Sequence, residues 1–189
     1  DPDADFDIWG EKAYTAGRII DVEVDNCSGH GINIEPERQR AYLTNVRSIS
    51  NTLSGVVIRA NDPVIGDRCG FGGNGEHSVK FSACSGAVIS GANIWGNPAT
   101  RSGSCLAIHF QNCNSVNMIG NVVNDTISVF GGDTQDDRGV VIVGNTLKPH
   151  RQLFSSDGVT VDDSDAINCH IRVRGNNNVI VASRSEEHT

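Results

Sequence analysis

An apolar strand, a corner of small residues and a second apolar strand recur along this chain, and that repeat restricts the fold more than any other feature. Four segments carry it: VEVDNCSGHGINIE (22–35), RSISNTLSGVVIRAN (47–61), VKFSACSGAVISGAN (79–93) and IHFQNCNSVNMIGN (108–121). A fifth, DRGVVIVGNTL (137–147), keeps the corner glycine and the strand after it. Superposed, they bring Cys27, Leu53, Cys84 and Cys113 into one column, at spacings of 26, 31 and 29 residues. Repeats of this size belong to solenoids, whose units cannot bury an apolar face alone and must stack on their neighbours. The uneven spacing is then absorbed in loops, for which 61–76, 96–104, 131–137 and 148–157, rich in Gly, Pro and acids, are the candidates.

The apolar period within each unit is two. Ile20, Val22 and Val24 alternate with Asp21, Glu23 and Asp25, and Val79 and Phe81 with Ser78, Lys80 and Ser82. Beyond the corner, Ile32/Ile34, Val56/Ile58, Val140/Ile142 and Val159/Val161 alternate again with β-branched side chains, which suit a pleated surface. Glycine at the corner tolerates a positive φ. With 21 glycines, helical periodicity is nowhere sustained. The expectation is an all-β chain of about six coils stacked at roughly 4.8 Å, over residues 18–183 with 1–17 as a lead-in or partial coil. Asn61, Asn93, Asn121 and Asn145 recur at strand exits, where stacked amides can satisfy buried turn carbonyls from coil to coil.

Charge narrows the partners. A net charge of -8 argues against a phosphate-tracking nucleic-acid binder, and no apolar run approaches the roughly 18 residues of a membrane span. Residues 184–189, Arg-Ser-Glu-Glu-His-Thr, read as the in-frame translation of a sequencing-adapter oligonucleotide. They are set aside as a non-native tail, and the chain is read as a fragment cut at both ends.

Chemistry is expected on outward columns. Counting back from the column cysteines makes Glu23, Lys80 and His109 equivalent, with Ser48 in the second coil, and Asp25, Ser50, Ser82 and Gln111 parallel to them. A carboxylate, an amine and an imidazole on one face form a candidate acid/base surface, though a solvated sheet face has the same composition. Asp21, Glu23 and Asp25 on one strand make an acidic patch, same-side neighbours being about 6.6–7 Å apart, near the separation of inverting glycosidase carboxylates. Any alternating acidic strand gives that spacing. Trp9 and Trp95 are candidate sugar-stacking platforms or packing residues. The column cysteines read as small core hydrophobes, because in-register side chains hold their Cβ atoms beyond disulfide reach. Cys69 and Cys105 fall in loops and can pair in an oxidising compartment. No spacing matches a zinc site; Asp1, Asp3, Asp5 and Asp7 and the loop acids Asp133, Asp136 and Asp137 could bind calcium, but neither group matches an EF-hand, so no metal or cofactor is assigned.

The asparagine steps MIGN and IVGN together with the repeat make the chain resemble the right-handed parallel β-helix of the pectate-lyase-like superfamily, which includes phage tailspikes. The resemblance covers about residues 18–181 and is carried by repeat grammar with no enzyme signature. It implies a right-handed parallel β-helix that binds polysaccharide and degrades it as a lyase or glycoside hydrolase, outside the cell or on a virion tail, as a homotrimer in the tailspike case. Glu23, Lys80 and His109 are then the catalytic candidates, and Asp21, Asp25, Gln111 and Trp95 the substrate-binding ones. The rival is a non-catalytic structural or adhesin solenoid.

Overall fold

The computed structural model describes residues 6–8, 17–35, 40–96, 106–130, 139–148, 171–174 and 179–185. Among them are seventeen strands and no helix: β1 (Phe6–Ile8), β2 (Gly17–Asp25), β3 (Ile32–Ile34), β4 (Ala41–Ile49), β5 (Val56–Ile58), β6 (Val64–Ile65), β7 (Gly70–Gly72), β8 (Val79–Ser82), β9 (Val88–Ser90), β10 (Asn93–Trp95), β11 (Ile108–Gln111), β12 (Asn117–Ile119), β13 (Val122–Asn124), β14 (Ile127–Phe130), β15 (Val140–Lys148), β16 (Ile171–Arg174) and β17 (Val179–Ser185). All the strand pairings are parallel.

The strands form two sheets between which the chain alternates. The first holds seven strands in the order β1-β3-β5-β8-β11-β14-β16, and the second the other ten. Each visit to the first sheet adds a strand beside the previous one, so the arrangement is all-β, parallel and solenoid-like. Parallel sheets need a crossover between neighbouring strands, and the other sheet supplies it.

The second sheet is bent along a line. The long strand β4 pairs with both β6 and β7, and β15 with both β12 and β13, so one long strand equals two short ones joined by a bend. At the bend lies a residue with left-handed backbone: Asp21 (φ 57), Asn45 (φ 52), Arg68 (φ 63), Gly91 (φ 64), Gly120 (φ 66) and Gly144 (φ 63). This residue also slips the in–out alternation by one. In β4, Leu43 is buried, Thr44 and Asn45 are both exposed, and Val46 is buried again. In β2 the slip places Ile19 in the core and leaves Ile20 52% exposed, which corrects the unbroken Ile20/Val22/Val24 alternation expected from sequence.

Between the sheets lies one continuous core of in-register columns. Leu43, Ile65, Ile89, Met118 and Ile142 form one, and Ile34, Ile58, Phe81, Phe110 and Val129 another, with Phe81 and Phe110 stacked at 5.1 Å. Burying each such side chain contributes about 1.5–3 kcal/mol. Two polar ladders run through the same interior. Asn121 accepts from the Ala92 amide (3.0 Å) and donates to the Ile89 carbonyl (2.9 Å) and to Asn145 Oδ1 (2.8 Å). Asn145 in turn donates to the Met118 carbonyl (3.0 Å). At the corner leading to the first sheet, Asn51 accepts from the Cys27 amide (3.1 Å) and donates to Asn74 Oδ1 (2.8 Å). Of the exit asparagines expected to stack, Asn121 and Asn145 do so, whereas Asn93 and Asn61 are exposed.

The repeats superposed from sequence are half a turn out of phase. Segments 22–35 and 47–61 run from the second sheet to the first, while 79–93 and 108–121 run from the first to the second. Cys84 and Cys113 are therefore neighbours, but Cys27 stands in the Asn51–Asn74 column and Leu53 beside Gly29 and Glu76. Both corners have the same strand–small residue–strand grammar, so local pattern cannot tell them apart. The three cysteines are nonetheless buried. Segment 61–76 is not a plain loop, since it contains β6 and β7 with Phe71 in the core. Cys69 is a buried free thiol there. Cys105, Cys169, Trp9 and the aspartates 1, 3, 5, 133, 136 and 137 lie outside the described residues.

Candidate functional site

On the outer surface of the second sheet, the bend line opens into a cleft of about 270 Å³ lined by Asp21, Val22, Glu23, Asn45, Arg47, Arg68 and Gly70. Three of these, Asp21, Asn45 and Arg68, are the bend residues of successive turns of the chain. The next three turns use glycine at that point, where the left-handed conformation carries no Cβ penalty. A side chain there costs on the order of 1 kcal/mol. Strained backbone that carries polar side chains into a cleft marks the bend line as a candidate site. Asn45 Nδ2 donates to Asp21 Oδ1 (2.7 Å), and Arg47 pairs with Glu23 across β2 and β4 (3.2 Å) with both side chains exposed.

Beside the cleft, Trp95 lies on the sheet. The register of β10 on β7 sets it next to Gly72, and a Cβ built at Gly72 would lie 2.1–2.2 Å from three atoms of the indole ring. At Gly70 such an atom would be 3.8 Å from the ring. The two outward-facing glycines thus give the indole a flat seat, and Trp95 as a whole is half-buried. The Ser78 hydroxyl donates to the Trp95 carbonyl and ties the strand end to the first sheet.

Lys80 and His109 lie elsewhere, on the outer face of the first sheet. They are in register on β8 and β11, in the column Asn33, Val57, Lys80, His109, Ser128. His109 stacks on His77 (4.8 Å between centroids) and against Phe130 (6.4 Å). Burial and the neighbouring Lys80 ammonium lower the His109 pKa to about 4, and burial with His109, Lys80 and His30 lowers that of His77 to about 3. Both imidazoles are neutral at pH 7. Their Nδ1 atoms are buried, with no hydrogen-bond partner among the described residues. Gln111 follows on β11 beside Ser82 and Phe130.

The expected column of Glu23, Lys80 and His109 is therefore not assembled. Lys80 and His109 are adjacent, while Glu23 is on the other sheet with Arg47 opposite, because the half-turn phase error equated positions on two different sheets. Asp21, Glu23 and Asp25 share β2, but the left-handed Asp21 breaks the straight strand on which their spacing was reckoned. Arg47, Arg68, Asn45 and His77 were not foreseen. The signal for Asn45 and Arg68 was the change from Asp, Asn and Arg to Gly at equivalent places, legible only once the turns are correctly phased. Among the described residues no group of three or more His, Cys, Asp or Glu side chains is placed to hold a metal ion. Comparison with family models, curated proteins and solved structures finds no match.

Proposed function

We propose that this chain forms a right-handed parallel β-helix that recognises polysaccharide on its outer face, at the bend cleft and the Trp95 platform. The observation that carries the reading is the indole seated flat on Gly70 and Gly72 beside a cleft of carboxylates and guanidiniums. An aromatic face packs against the C–H face of a pyranose, while charged side chains hydrogen-bond its hydroxyls. A ligand crossing successive strands about 4.8 Å apart meets both features. Extracellular or virion-tail placement and a homotrimer belong to the same reading by fold analogy.

Degradation is the second part of the proposal. Hydrolysis would draw on Asp21 and Glu23 in the cleft; elimination would need the glycan at a second place, on the first sheet, with the neutral His109 imidazole beside Lys80 as base. The non-catalytic rival is favoured by a specific observation, that Glu23 is engaged by Arg47 and Asp21 by Asn45. Calorimetric titration with oligosaccharides, paired with reducing-end and unsaturated-product assays, separates these readings. Binding lost in Trp95→Ala with turnover supports the full proposal, and binding without turnover supports the rival. Binding unchanged in Trp95→Ala overturns the site.

A further inference from the structure

Resting on that reading, we infer that the bend cleft takes a neutral, hydroxyl-rich glycan and discriminates against uronate-containing or otherwise anionic ones. Two carboxylates, Asp21 and Glu23, face two guanidiniums, Arg47 and Arg68, so the cleft is charge-balanced in a chain of net charge -8. The guanidinium of Arg47 is already neutralised by Glu23 at 3.2 Å, and one Asp21 oxygen already accepts from Asn45. What remains on offer is a set of carboxylate lone pairs interleaved with guanidinium N–H groups. A carboxylate accepts at about four lone-pair sites and a guanidinium donates at about five N–H groups, so neither is exhausted by one partner. A hydroxyl both donates and accepts, and a vicinal diol can therefore bridge a carboxylate and a guanidinium. An anionic group can use only the guanidiniums. There it must sit against Asp21, Glu23 and the exposed Asp25 on the same strand.

The Trp95 platform has the same preference, since an indole ring bears no charge and matches the C–H face of an uncharged sugar ring. Arg68 is the most informative of the lining residues. It holds a left-handed conformation (φ 63) where Gly91, Gly120 and Gly144 serve in other turns, so its side chain is kept at a backbone cost that glycine would remove. A neutral ligand also excludes β-elimination at this cleft, because that reaction needs a carboxylate beside the C–H bond it deprotonates.

The test is titration of the full chain at about 0.15 M salt with cellohexaose, laminarihexaose, mannohexaose and maltohexaose against the hexamers of galacturonate and guluronate. At least one neutral hexamer is expected to bind about tenfold or more tighter than either uronate, with an affinity that does not change with salt. Arg68→Gly, which suits the backbone and leaves the melting temperature unchanged or higher, is expected to weaken that binding about tenfold. Tighter binding of a uronate hexamer, relieved by salt, would overturn the neutral-ligand inference and leave the glycan site standing. Neutral binding untouched by Arg68→Gly would overturn the assignment to this cleft. Failure of a folded chain to bind any of the six would overturn the glycan reading itself.

Discussion

Asn121→Ala tests the claim that the interior amide ladder, and not the apolar columns alone, holds successive turns together. The side chain satisfies the Ala92 amide and the Ile89 carbonyl, both in the core and out of reach of water. Its third bond is to Asn145 Oδ1, which keeps a partner after the substitution because the Asn121 backbone amide also donates to it, at 2.9 Å. Truncation thus orphans the Ala92 amide, at about 1–3 kcal/mol, and removes one hydrogen bond from the Ile89 carbonyl, at about 0.5–1.5 kcal/mol, or roughly 1.5–4.5 kcal/mol together. Total stability of about 5–15 kcal/mol leaves little room for such a loss. For a chain of this length it lowers the melting temperature by on the order of 10 °C. Asn117→Ala is the control, on the half-buried outer side of the neighbouring strand, with an expected effect within about 0.5 kcal/mol. Urea unfolding followed by circular dichroism measures both. Equal losses in the two variants would show that the ladder contributes nothing particular and would refute the reasoning. Replacing both Asn121 and Asn145 with Ala should cost less than the sum of the single losses, since each already breaks the shared bond.

Acid should loosen the first sheet. The folded-state pKa values of His77 and His109, about 3 and about 4, lie below the unfolded value of 6.5, so the unfolded chain binds more protons below that pH. Their contribution is complete above about pH 6.5 and is lost as pH falls towards 4, and the stability gap between the native chain and His77→Gln should shift in favour of the variant over that window; a gap independent of pH from 8 to 4 would contradict this. Gly72→Ala places a methyl group in the indole seat and should lift Trp95 off the sheet, seen as a red-shifted emission in a Trp9→Phe background; an unchanged spectrum would count against the flat platform. Met118→Ala in the core should cost about 2–5 kcal/mol, whereas Ile119→Ala, 52% exposed one residue on, should cost within about 0.5 kcal/mol. Comparable losses at the two positions would contradict the assigned in–out phase.

The residues alone already declare the class of the chain. Period-two alternation around Val79 and Phe81, recurring units near thirty residues and glycine-marked corners admit short parallel strands stacked on one core, and the strands, the buried cysteines and the Asn121–Asn145 ladder stand where those signals imply. Local pattern could not supply phase. A corner from the second sheet to the first looks like a corner from the first to the second, so Glu23 was equated with Lys80 and His109 although a sheet boundary separates them. The bend residue was equally invisible, because a single left-handed position at Asp21, Asn45 or Arg68 leaves composition unchanged while turning every later side chain to the opposite face. Individual residues determine whether a segment can be a strand, through β-branching and alternation. Which strands neighbour each other, and hence that Trp95 rests on Gly72 beside Arg47 and Arg68, depends on register between segments more than twenty residues apart. That register is decided by the packing of the whole core and the closure of its hydrogen-bond ladders, which only the tertiary structure contains.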